Sequence, residues 1–207
     1  VNASKIVAPY GGIDRKLSTG PLGYAFPTDK EMPFVLDIAT SICAEGKIRV
    51  ALHKGQDLPD GYIIDRNGKP SNNPSDLYEG GAILPFGGEV GYKGFGLGLV
   101  IDFLAGILAR SGPAYLDNKR GNGVFMEAVN IESFMPLDQF RREMDELIIA
   151  IKKSRPMPGF EEIMIPGEPE FRTEQKRLRE GIYVPEKTWE EITEIATRLK
   201  VDIEKHV

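Results

Sequence analysis

The run GGEVGYKGFGLGLVIDFLAG, residues 87–106, sets glycines at 91, 94, 96 and 98 around a single lysine, Lys93, and leads into an apolar stretch. Glycine lets a ligand approach the backbone closely. N–H groups near a helix start can hold a phosphate, and a lysine ammonium can meet phosphate, ribose or a carboxylate. Gly94 and Gly96 stand next to that chemistry. The spacing is not the usual GxGxxG between a strand and a helix. Nor does the chain carry GxxxxGK[ST], so ATPase or GTPase activity lacks its usual signal. The same residues also describe a glycine-rich turn feeding a helix packed closely on a sheet, with Lys93 at its solvent edge.

Asp37 is a second candidate. It closes the apolar run FVL and precedes the small residues Ala39, Thr40 and Ser41. A carboxylate at a strand end can accept bonds from ribose hydroxyls, and Thr40 and Ser41 can donate to a ligand. Asp37 can equally satisfy local N–H groups or cap the next helix. The third candidate is PGEPEFR, residues 166–172, where two prolines stiffen a loop around Gly167, Glu168 and Pro169. Glu170 and Arg172 can pair there or face a ligand, and an ordinary rigid loop before a helix has the same pattern. The two histidines, His53 and His206, give a general base little support. No Cys/His cluster, HExxH or GxSxG appears, so zinc chemistry and serine hydrolysis lack their signals.

The 207 residues, 41% of them hydrophobic, suffice for one substantial core. A net charge of -5 argues against a broad nucleic-acid surface. The lone cysteine, Cys43, lies between Ile42 and Ala44 and reads as a buried thiol. A single cysteine fits a cytoplasmic location. No apolar run reaches the ~18 residues of a membrane span. The opening VNASKIVAPYGG resembles the interior of a protein more than a natural beginning.

These residues need elements to place them. Strands are expected at 5–8, 23–28 and 32–41, the last read as buried rather than amphipathic. A helix over 42–50 takes Ser41 as its cap. YIID makes a strand between the DG and NG turns, and 82–86 is a further apolar piece. Residues 97–108 read as a buried helix and 124–129 as a strand. The helix over 140–152 carries Met144, Leu147, Ile148 and Ile151 as a buried stripe. Two helices close the chain, 172–181 and 185–199, the last burying Trp189, Ile192, Ile195, Ala196 and Leu199.

Taken together, NASKIVAPYGG, GYAFPT, PFVLDIATS, LPDGYIID, ILPFGG, YKGFGLGLVIDFLAG and PGEPEFRTEQKRLREGIYVP resemble the malate/L-lactate dehydrogenase type 2 family across essentially the whole chain. The resemblance implies an α/β fold of non-Rossmann type, a mixed sheet with flanking helices. It implies a cofactor-binding α/β domain over 1–130 and a mostly helical portion over 131–207 that packs with N-terminal structure. The implied activity is hydride transfer between NAD or NADP and a small 2-hydroxy or 2-keto acid, with imine reduction as a variant in the same family. Asp37, Ala39 and Thr40 correspond to the family's cofactor-binding strand end. Lys93, Gly94 and Gly96 match its lysine–glycine segment, and Gly167, Glu168 and Pro169 lie where further cofactor contacts fall. Arg49 is the cation that could approach a 2′-phosphate. Tyr92 stands where many relatives have His, and Ala3 where many have Ser. Relatives carry a further N-terminal region with the catalytic histidine and the substrate-binding arginine, so no catalytic residue is assigned here. That segment and a second copy, in a homodimer, are the partners expected. A nonenzymatic nucleotide-binding module is the rival reading.

Overall fold

The computed structural model describes residues 1–117 and 121–203. Along the chain come β1 (Leu22–Phe26), β2 (Phe34–Ile38), α1 (Glu45–Lys54), β3 (Ile63–Ile64), β4 (Pro70–Ser71), α2 (Pro74–Tyr78), β5 (Ala82–Ile83), α3 (Tyr92–Ile101), α4 (Leu137–Lys152), α5 (Glu168–Glu180) and α6 (Glu186–Leu199). β1 and β2 pair antiparallel, from Leu22 opposite Ile38 to Phe26 opposite Phe34. β3 lies between β4 and β5 and is antiparallel to both. A parallel bridge from Val7 to Ile83 makes that second sheet mixed. The fold is α/β with flanking helices, as expected.

The core collects Val7, Leu17, Cys43, Ile48, Leu58, Ile63, Leu77 and Ile83. Burying each large aliphatic side chain there contributes about 1.5–3 kcal/mol. α1 delivers Ile48 and α2 delivers Leu77, both fully enclosed. Burial pushes the Cys43 thiol up to about 11, so it stays protonated and unreactive. Arg15 ties the surface to this core, its guanidinium donating to the carbonyls of Leu77 and Gly81. The β3–β4 turn is held by Asp65, whose Oδ1 accepts from the backbone of Asn67 and Lys69 at 2.8 and 2.9 Å.

Several elements differ from expectation. α1 starts at Glu45, and its cap position, Ala44, makes no side-chain bond. Ser41 instead bridges Pro85 and donates its hydroxyl to the Cys43 carbonyl at 2.7 Å, which keeps the chain extended past the expected start. β2 is half-exposed rather than buried, with Val35 at 44%. The expected strand over 124–129 is extended chain without a strand partner among the described residues. The helix over 97–108 begins earlier, at Tyr92, and passes at Asp102 into a π-helical segment, Asp102–Leu108. Val100, Phe103, Ile107 and Leu108 on it are exposed. In α4 only Ile148 of the expected stripe is buried, with Asp145 beside it. In α6 only Ala196 is. An apolar stripe marks the face available for packing; its burial depends on which neighbour meets it.

Two compact units divide after Pro166: Val1–Pro166 and Gly167–Val207. The division falls downstream of the expected boundary at 130/131. α4 belongs to the first unit because Asp145 accepts the backbone N–H groups of Asp29, Lys30 and Glu31 at 3.1, 2.8 and 3.4 Å. Val35 N–H donates to Pro166 carbonyl at 3.2 Å, tying the last residue of that unit to β2. Among its described residues the second unit holds α5 and α6.

Candidate functional site

The glycine-rich run opens α3, and its glycines divide between two jobs. Gly94 and Gly98 are buried one turn apart on the same face. A Cβ on Gly94 would stand 2.7 Å from Phe86 N and closer still to the Phe86 carbonyl oxygen. A Cβ on Gly98 would make ordinary contact with Thr40 Oγ1 and Leu17. These two positions answer to close packing of a helix. Gly96 is different: it is exposed, and apart from its own helix no described residue lies within 4 Å of where its Cβ would be. Lys93 is also exposed, in the first turn, and its side chain makes no ion pair or hydrogen bond with the described residues.

Asp37 lies on β2 opposite Gly23 and is exposed, with no hydrogen-bond partner among the described residues. It does not cap α1. Ala39 is half-buried. Thr40 is buried, its hydroxyl donating to the Thr19 carbonyl at 3.1 Å. Its N–H also reaches Thr19 O, at 2.9 Å, and its carbonyl accepts from Phe86 N at 3.1 Å. Thr40 thus joins the end of β2 to the segment before α3 and holds Asp37 and α3 to one framework.

A cavity of about 980 Å³ lies beside Asp37. Its walls are β1, the helical residues Ile101, Leu104 and Ala105, the extended chain 124–129, and Phe134, Met135 and Phe140. Among the residues singled out from sequence, Asp37 alone lines it; Lys93, Gly94 and Gly96 sit toward the other end of α3. Sequence reasoning did not single out Tyr24, Phe26 or Met126 as wall residues, because aromatic and aliphatic residues on strands carry no signal beyond core packing. A buried polar knot lies next in the chain to the cavity-lining residues Val1 and Ile101. Asp102 Oδ1 accepts from the Asn2 side-chain amide and from Ala114 N–H, the latter at 2.9 Å.

Gly167, Glu168 and Pro169 belong to the second unit. Gly167 takes φ +97° at the cap of α5, and Glu168 and Pro169 are already helical. Arg172 pairs with Glu168 at 4.0 Å, one helical turn apart, where sequence suggested Glu170. Arg49 forks onto Glu45 with both carboxylate oxygens at 2.9 Å from Nη2, and Tyr78 donates to the same carboxylate at 2.7 Å. A 2′-phosphate would have to displace that pair. His53 is exposed in the last turn of α1 and does not line the cavity. His206 lies outside the described residues.

The fold and the cavity define an α/β domain of non-Rossmann architecture, with a carboxylate and a lysine exposed at the ends of its strand and helix. The chain belongs to the malate/L-lactate dehydrogenase family, whose model matches residues 1–193. It is 42% identical to malate dehydrogenase of Pyrococcus horikoshii over 97% of this chain and 58% of that protein. It is 38% identical to L-sulfolactate dehydrogenase of Methanocaldococcus jannaschii over 100% of this chain and 60% of that protein. The crystal structure of malate dehydrogenase from Entamoeba histolytica superposes with a TM-score of 0.89 at 28% identity, covering 97% of this chain and 60% of that one. The chain therefore spans about three fifths of the length of the relatives it matches.

Proposed function

We propose that this chain is the nucleotide-holding part of an NAD(P)-dependent oxidoreductase that interconverts a small 2-hydroxy acid, of malate or lactate type, with its 2-keto acid. The observation that carries the reading is the pair of exposed polar groups, Asp37 and Lys93, which have no protein partner among the described residues and stand on one framework. Open space over Gly96 fits the close approach of a nucleotide to the α3 backbone. When bound, a nicotinamide nucleotide supplies or accepts the hydride. Asp37 accepts ribose hydroxyls, Lys93 places its ammonium against phosphate, and Thr40 holds the end of β2 against the segment leading to α3. Gly167, Glu168 and Pro169 remain candidate contacts within the second unit. The histidine that handles the proton and the arginine that binds carboxylate are assigned to a further N-terminal segment, with a homodimer as the working assembly and the cytoplasm as the location.

The test is titration of the purified protein, in its longest native form, with NADH and NADPH, followed by fluorescence and calorimetry. Lys93→Ala should weaken binding about tenfold, or about 1.4 kcal/mol. Its circular dichroism and melting should remain those of the wild type, since the side chain is exposed. Unchanged affinity would remove Lys93 from the site. The rival reading is a nonenzymatic nucleotide-binding module. Saturable nucleotide binding without turnover of malate, lactate or sulfolactate by the longest native form would make the protein a binding module.

No helix among the described residues is long and apolar enough to cross a membrane.

A further inference from the structure

The cavity beside β1 has two walls of extended backbone. One is β1 itself, which pairs with β2 along one edge only among the described residues. The other is 124–129, whose backbone makes no hydrogen bond among the described residues. Which groups face the cavity follows from the register. Val35 is opposite Ala25, yet its N–H donates away from β1, to Pro166. Ala25 and Val35 are therefore a non-hydrogen-bonded pair, and by alternation so are Gly23 and Asp37. The N–H groups of Gly23 and Ala25 point to the open edge. On the opposite wall, Asn2 and Gly123 exchange both of their backbone bonds, at 2.9 and 3.0 Å. Continued along the chain, the same alternation turns the N–H groups of Phe125, Glu127 and Val129 inward.

Residues 1 and 2 already show both ladders at once. Asn2 bonds to Gly123 on one side, and Val1 nitrogen donates to the Pro21 carbonyl on the other at 2.8 Å. Successive residues bonding to opposite neighbours is the signature of a strand between two strands. Val1 also lines the cavity. We infer that the cavity seats one further β-strand, formed by the polypeptide that leads into Val1 and antiparallel to both β1 and 124–129. With β1 and 124–129 as its walls, the seat takes five or six residues, roughly 17–20 Å at ~3.3 Å per residue. Tyr24, Phe26, Leu104, Phe125 and Phe134 give it apolar surroundings, and Asp37 and Glu127 disfavour an acidic strand. The relatives, of which this chain spans about three fifths, have the length to supply it. The strand completes the sheet by backbone pairing and so removes two open edges at once. Asp37 is on β2 and not on either edge, so the ladder does not use it. This inference stands independently of the nucleotide reading.

Amide hydrogen exchange, resolved by residue, tests it on two proteins: the 207-residue chain and the same chain extended upstream by its natural sequence. In the extended protein the amides of Gly23, Ala25, Phe125, Glu127 and Val129 should slow by ~100-fold or more, as strand amides do. Those of Val124, Met126 and Ala128 should stay fast. In the 207-residue chain all eight should exchange rapidly. Equal exchange in the two proteins would overturn the inference. So would protection that grows with protein concentration, which would mean a second copy occupies the groove. Protection that appears only on adding NADH or malate would overturn it as well, by assigning the cavity to a small molecule.

Discussion

At the scale of single residues, the glycines of α3 make the cleanest comparison. Gly94 and Gly96 are two positions apart and look alike in sequence, yet one faces the Phe86 backbone and the other faces open space. Gly94→Ala should destabilise the protein by about 1–3 kcal/mol, because its Cβ meets backbone that cannot swing aside. Gly96→Ala should be neutral or stabilising by up to about 1 kcal/mol, since alanine favours a helix interior. Urea unfolding of the two variants checks this, and equal effects would contradict the packing described. If the space over Gly96 serves a nucleotide, Gly96→Ala should also weaken NADH binding while leaving stability intact.

At the scale of elements, Asp145 joins α4 to the turn before β2. Burial alone would raise its pKa. The N–H groups of Lys30, Asp29 and Glu31, aided by the Lys30 charge, outweigh burial and hold it below the ordinary carboxylate range. A folded-state value below the unfolded one, about 3.9, means that the ionised form favours folding. The contribution is complete above about pH 5 and is lost as pH falls through the depressed value. Asp145→Asn should lower stability at pH 7 and flatten the decline in melting temperature on acidification below about pH 4. Parallel pH profiles for variant and wild type would show that the carboxylate does not hold the turn. The three bonds join positions 114 to 116 residues apart, so no local pattern in the sequence announces them.

At the scale of the whole molecule, the two units differ in how much they enclose. The first holds the cluster around Ile48, Ile63 and Ile83. In the second, among its described residues, Ala196 alone is buried, while Trp189, Ile192 and Leu199 are exposed. Few buried apolar contacts mean low local stability. Amides of α5 and α6 should therefore exchange well before those of β3 and β5 in the 207-residue chain. Equal protection across both units would show that α5 and α6 find cover in solution.

Much of the architecture was legible in the sequence because local chemistry fixes it. Pro27 stops β1, the NG turn joins β3 to β4, and the apolar spacing of α4 and α6 sets their helical period. The position of Asp37 at the end of a strand followed from the same patterns, whereas Lys93, expected in a turn before a helix at 97, lies in the first turn of α3. What the sequence alone determined was the approximate place of most helices and turns and of β1 and β2, and which family they form together. Tertiary structure decided which faces are covered. It separated Gly94 from Gly96, paired Arg49 with Glu45, committed Thr40 to Thr19, and left 124–129 extended with its amides unmatched. Periodicity records the face a segment offers; burial, partners and strand pairing depend on neighbours distant in sequence, whose positions no local spacing encodes.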